Sequence, residues 1–181
     1  NNAFVLHGNN MNSTPLNKIS IKKLISAPFN LIRNYQDLNM QIQPNGFDMT
    51  LDTVSTFTNQ GKVDFDNSER ILANTQILPF NKTGWLKLKQ GSYLITFNEI
   101  VKIPLNIMAL GKPRSSLLRN GVSIHSAVWD AGYEGKSSAL LVIYNTEFEI
   151  KQNARIFQLV FFKLDKIVKK GYEGKFHKEG I

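Results

Sequence analysis

At 181 residues, with 42% hydrophobic and 20% charged side chains, the chain has the size and balance of one domain that buries its own core. It has no cysteine, which excludes disulfides and thiolate metal sites and suits a cytoplasmic setting; His7, His125 and His177 are too scattered for a zinc site, and no apolar run nears the roughly 18 residues of a membrane span. A net charge of +8 favours an anionic partner, either a nucleic acid or a polyphosphate.

Asn1 to Asn17 shows no sustained periodicity and no signal-peptide pattern, and reads as a mobile tail. Ser20 reads as an N-cap for a short helix in which Ile21, Leu24 and Ile25 share a face, with a break near Ala27 forced by Pro28. Pro44-Asn45-Gly46 signals a turn. Phe47, Met49 and Leu51 then alternate with Asp48, Thr50 and Asp52, which is strand period. Asp48 is either an acid facing water or a brace for a site. Thr53–Phe57 and Trp85–Leu88 are short strands between the turns Asn59-Gln60-Gly61, Asn81–Gly84 and Gln90-Gly91-Ser92; Asp64 to Glu69 is an acidic surface loop. Tyr93–Phe97 and Ile107–Leu110 are further strands flanking a bend at Pro104.

The stretch from Leu110 to Lys136 holds the densest chemistry. Arg114-Ser115-Ser116 joins a guanidinium fork to two hydroxyls, a set suited to phosphate oxygens. Val122 to Trp129 reads as a strand ending at Asp130, followed by a turn through Ala131-Gly132 and a return strand from Tyr133. Asp130 is either turn chemistry or an acid that acts on a bound ligand. Ala139–Tyr144 is a continuous apolar strand, and Ala154–Phe162 another, with Arg155 and Gln158 as its polar members. After the basic run Lys166 to Lys170, the segment 166–181 reads as a flexible flap or a disordered basic end. Many short strands and one short N-terminal helix make the chain a single mainly β domain, a distorted jelly roll or barrel.

Five segments, in order, resemble the dUTPase and dCTP deaminase superfamily, in particular its archaeal-type, deaminase-like dUTPases. They are Gln43–Asp48, Gly111–Leu117, Val128–Gly135, Asn153–Leu159 and Gly171–Phe176, and together the likeness runs from about Ser20 to the end. The resemblance implies that Arg114, Ser115 and Ser116 hold phosphates and that Asp130 deprotonates the attacking water. It implies that Tyr133 packs under the deoxyribose and leaves no room for a 2′-hydroxyl, and that Gln158 contacts phosphate. The hairpin between the second and third motifs would hold the base. It further implies a homotrimer with shared sites, closed by a neighbour's tail through Tyr172, Lys175 and Phe176. The tail lacks the fuller Gly-rich motif of common dUTPases, and His125, in the base-binding hairpin, has no clear counterpart and is either a packed or surface residue or a base contact.

Deaminases of this superfamily carry a Glu ten residues beyond the motif-three Asp, where this chain has Leu140. A leucine cannot move a proton, although Arg119 stands where deaminases have a catalytic Arg. The resemblance therefore implies a dUTP diphosphatase that uses Mg²⁺ carried on the triphosphate, with no protein-held metal. The alternatives are a dCTP deaminase, alone or bifunctional, and a non-catalytic β module that binds nucleic acid. The last lacks the aromatic–basic alternation of a stacking platform.

Overall fold

The computed structural model describes residues 14–181, so residues 1–13 of the expected tail lie outside the described part. The elements in chain order are α1 (Lys18–Ile25), β1 (Ile32–Arg33), α2 (Leu38–Gln41), β2 (Ile42–Gln43), β3 (Gly46–Phe57), β4 (Thr75–Ile77), β5 (Trp85–Lys102), β6 (Ile107–Pro113), α3 (Ser115–Leu118), β7 (Val122–His125), β8 (Glu134–Lys151) and β9 (Arg155–Lys163). The strands form one sheet path, β6-β9-β3-β5-β8-β7, with β1 on β5 and with β2 and β4 on β3. This is the expected mainly β architecture. No described helix is long and apolar enough to cross a membrane.

β3 makes the corner. Its first half, Phe47 to Thr50, pairs with β9, and its second, Leu51 to Ser55, pairs with β5. Register shifts at Met49/Thr50 and Leu51/Thr53 supply the bend that lets one strand serve both halves of the sheet. At the far ends, Ala109 of β6 and Trp129 exchange two backbone hydrogen bonds of 2.9 and 3.0 Å, which draws the barrel nearly closed.

The core lies between the two halves. Phe97 of β5 stacks on Phe157 of β9 with ring centroids 5.5 Å apart, and Trp129 lies 6.0 Å from the same ring. Phe47, Met49, Leu51, Leu141 and Phe161 are fully buried around them. Gly111 belongs to this packing: a Cβ there would sit 1.9 Å from a Phe157 ring carbon, so only glycine lets β6 lie so close to that ring.

Local expectations change in four places. The helix starts earlier than Ser20: Asn17 is the N-cap, its Oδ1 accepting the Ser20 N–H at 3.0 Å, and Ile21 and Ile25 are buried one turn apart. Thr14 to Asn17 is docked, with the Leu16 N–H donating to Phe161 O at 2.8 Å and the Lys163 N–H to Thr14 O at 3.0 Å. Gln90-Gly91-Ser92 is a bulge and not a turn; Gly91 adopts φ +151° and β5 runs through it, paired with β8 on both sides. Finally, β7 ends at His125, and β8 begins at Glu134 and not at Tyr133.

Candidate active site

Arg114 leaves the end of β6 as the N-cap residue of α3. Buried Leu117 anchors this turn, and Ser115 and Ser116 face solvent. The guanidinium is held from behind. Its Nε lies 3.1 Å from Asp48 Oδ2, and Nη1 donates to Arg155 O at 3.2 Å. Asp48 is only 1% exposed and also meets Arg155 Nη1 at 3.5 Å and Gln43 Nε2 at 3.2 Å. Burial raises the Asp48 pKa above the ordinary carboxylate value, and the two guanidinium groups offset part of that rise. Gln158 of β9 lies between Asp48 of β3 and Lys112 of β6 in register. Arg114, Ser115, Ser116 and Gln158 therefore gather at one end of the β6–β9 pair, with Lys112 and Arg155 beside them. Such a cluster can bind a polyanion.

Asp130 and Tyr133 stand at the other end of β6. Asp130 is exposed, and its carbonyl accepts the Tyr133 N–H at 3.1 Å across a turn in which Gly132 adopts φ +85°. Asp130 borders a cavity of about 340 Å³ lined also by Met108, Leu164, Val168, Lys170 and Tyr172. Tyr133 is buried. Its hydroxyl lies 3.2 Å from Ser137 Oγ, which also accepts from Trp129 Nε1 at 2.7 Å. Burial raises the Tyr133 pKa, and the Ser137 hydrogen bond offsets part of the rise.

The tail docks on its own chain. The Tyr172 N–H donates to Ala131 O at 2.8 Å, and its ring stands edge-on to Tyr133 at 5.7 Å. Further along, the Lys178 N–H donates to Glu134 O and the Lys136 N–H to Glu179 O, at 2.6 and 2.7 Å. Lys175 and Phe176 are exposed in this final turn. The candidate residues thus fall into two groups. Arg114 lies five residues along β6 from Ala109, the partner of Trp129, so at strand rise about 17 Å separates the anion cluster from the Asp130 turn.

His125 is exposed and lines a cavity of about 510 Å³ with Gly111, Lys112, Pro113, Leu118 and Ser123. It pairs in register with Leu140, which sits half-buried in β8 next to Leu94 of β5. Arg119 is exposed at the end of α3. One group escapes sequence reading. Glu99 is fully buried and accepts from Gln41 Nε2 at 2.6 Å, Thr50 Oγ1 at 2.6 Å and Thr50 N at 2.9 Å. Gln41 also donates to Asp48 O at 2.8 Å, so this network holds the strand segment that carries Asp48.

A family described as dCTP deaminase-like matches residues 16–164. A probable deoxyuridine 5′-triphosphate nucleotidohydrolase of Methanosarcina barkeri is 49% identical over 167 residues, 92% of this chain and 98% of that protein. The Archaeoglobus fulgidus protein of the same description is 46% identical, covering 89% of this chain and 94% of the relative. The deoxyuridine 5′-triphosphate nucleotidohydrolase of Methanocaldococcus jannaschii is 38% identical, covering 74% and 85%. Among solved structures, a 2′-deoxycytidine 5′-triphosphate deaminase from Agrobacterium tumefaciens shares the fold at 17% identity and a TM-score of 0.63, over 84% of this chain and 49% of that one.

Proposed function

This chain belongs to the dCTP deaminase-like family, and on that premise we propose that it is a dUTP diphosphatase whose sites are completed between copies of the chain. The observation that carries the shared site is the separation of about 17 Å between Arg114 and the Asp130 turn along β6. Groups that act on one phosphoryl centre must come within hydrogen-bond reach of it, and with Arg114 held back by Asp48 these two ends are poorly placed to meet within one copy. A second copy that presents its Asp130 end to the Arg114 end of the first satisfies both. Repeating that contact around an axis closes a ring, and the resemblance points to three copies.

In this reading, dUTP lies with its triphosphate on Arg114, Ser115, Ser116 and Gln158 and its base along β7. The sugar packs on Tyr133, and Tyr172 yields that face to it. Asp130 accepts a proton from water, the water oxygen bonds to the α-phosphorus, and the bond to the bridging oxygen breaks. The products are dUMP and pyrophosphate. Charge on the leaving group is offset by Arg114, whose fork Asp48 holds in place. Lys175 and Phe176 close over the nucleotide from the tail. Mg²⁺ enters as part of the substrate. Triphosphate oxygens suit that hard cation. A soluble nucleotide substrate suits a cytoplasmic setting. Leu140 argues against deamination, because neither it nor its neighbour Leu94 can transfer a proton.

Two measurements test the reading. Incubation with Mg²⁺ and dUTP, dCTP or UTP separately should give pyrophosphate from dUTP, little from UTP and no ammonia from dCTP. Arg114→Ala and Asp130→Asn should each be inactive, yet regain about one quarter of wild-type activity when mixed and reassembled, since one site in four then joins an intact Arg114 to an intact Asp130. No recovery in demonstrably mixed assemblies would rule out sharing.

A further inference from the structure

Between β3 and β4 the chain leaves the sheet as an arm from Thr58 to Asn74. The arm is built, not slack. Lys62 and Ile71 exchange two backbone hydrogen bonds of 2.9 Å, and the Thr58 N–H donates to Asn74 O at 2.9 Å. At the tip, Asp64 Oδ2 accepts the Glu69 N–H at 2.8 Å and Asp66 Oδ1 accepts the Ser68 N–H at 3.0 Å. These local bonds fix the tip without using its apolar side chains. Val63 is 82% exposed and Phe65 105%, so Phe65 touches almost nothing among the described residues. Ile71 and Leu72 of the arm and Ile77 of β4 are also exposed, and among the described residues β4 pairs with β3 alone, which leaves its other edge open there. A rigid protrusion with a bare aromatic tip and an open strand edge is poorly suited to water and well suited to a protein surface.

We infer that this arm docks on a second copy of the chain, with Phe65 as its anchor. The inference rests on the shared-site reading, which already requires another copy close by. Charge supports the same occupant. The arm carries three carboxylates, Asp64, Asp66 and Glu69, against Lys62 and Arg70, whereas the rest of the chain carries twenty cations and eleven carboxylates. The acidic tip and the basic body are complementary, and an aromatic inside a ring of polar groups is the common form of an interface anchor. The arm adds no group to the chemistry; it fixes how two copies meet, and through that whether Arg114 of one reaches Asp130 of the next.

The test compares the full-length wild type with Phe65→Asp by sedimentation equilibrium across a dilution series, with dUTP turnover read at each concentration. Far-UV circular dichroism checks the fold, and Phe65→Leu serves as the apolar control. The expected result is an assembly for wild type and Phe65→Leu. Phe65→Asp should fall apart at protein concentrations at least about tenfold higher and lose turnover in step. If Phe65→Asp assembles like wild type, the arm is not the contact, and the shared site still stands on the mixing experiment. If the wild type is a fully active monomer at every concentration, the shared-site reading and the arm fall together.

Discussion

Asp48 Oδ2 lies 3.1 Å from Arg114 Nε, and the aspartate side chain is almost wholly buried while the arginine side chain remains one-third exposed. The acid is therefore a fixed post for a partly exposed arginine. Asp48→Asn removes the charge but keeps the shape. It should lower kcat for dUTP more than it raises KM, because Arg114 stays nearby but loses the orientation that offsets leaving-group charge. The two arginine side chains left without this counter-charge are both partly exposed, so the loss of stability should be no more than about 1 kcal/mol. Steady-state kinetics and urea unfolding check both. Unchanged kinetics in the variant would reduce Asp48 to a structural residue.

Asp130 offers the cleaner test of chemistry, because it is exposed on a turn and supports no packing. Asp130→Asn should lower kcat by at least about 10²-fold, in the range for loss of a general base, while the midpoint of thermal unfolding stays where it was. Binding of a non-hydrolysable dUTP analogue, measured by calorimetry, should persist. Loss of binding together with turnover would make Asp130 a positioning residue.

Much of this arrangement is legible in the sequence, and its gaps have physical causes. Alternation at Phe47, Met49 and Leu51 and the apolar run of Ala139–Tyr144 announce strands because one or both faces are buried. Gln90-Gly91-Ser92 misleads because a bulge and a turn use the same residues; only the partner strand, β8, decides between them. Val122 to Trp129 alternates like a strand, yet its ladder stops at His125, and Trp129 crosses to Ala109 instead. The Asp48–Arg114 brace joins residues far apart in the chain. The Glu99 network is harder still, since Gln41 and Thr50 give no local sign that a carboxylate will be buried between them. Single motifs mark the candidate residues, but their division between two ends of β6 belongs to topology.

Tyr133 separates two ways of rejecting a ribonucleotide. Its ring is the proposed floor for the sugar, while its hydroxyl faces Ser137, within the protein. Tyr133→Phe should keep the preference for dUTP over UTP and cost about 1 kcal/mol of stability through one lost hydrogen bond. Tyr133→Ala should raise the kcat/KM ratio of UTP to dUTP by at least about tenfold, because the space for a 2′-hydroxyl opens. Comparing both substrates on both variants decides the point. If Tyr133→Phe loses discrimination, the hydroxyl and not the ring does the reading.

Glu99 makes stability depend on pH in a direction that can be worked out. Burial raises its pKa above the ordinary value of 4.5, and the hydrogen bonds from Thr50 and Gln41 offset only part of the rise. The folded protein therefore holds this proton at a pH where the unfolded chain has released it. The contribution to stability is full below 4.5, is lost as pH rises through the folded value, and is flat beyond it. In Glu99→Gln the group no longer titrates. The absolute stability of that variant also reflects an amide N–H turned toward donors, so the slope is the quantity to compare. Urea unfolding from pH 4 to pH 8 should show wild type losing stability relative to Glu99→Gln as pH rises above 4.5, with the curves parallel once Glu99 is ionised in the fold. Parallel curves throughout would mean that the three donors hold the carboxylate ionised as easily as water does. Asp48 is raised in the same direction and is tied to Glu99 through Gln41, so the slopes are compared again with Asp48→Asn in both backgrounds.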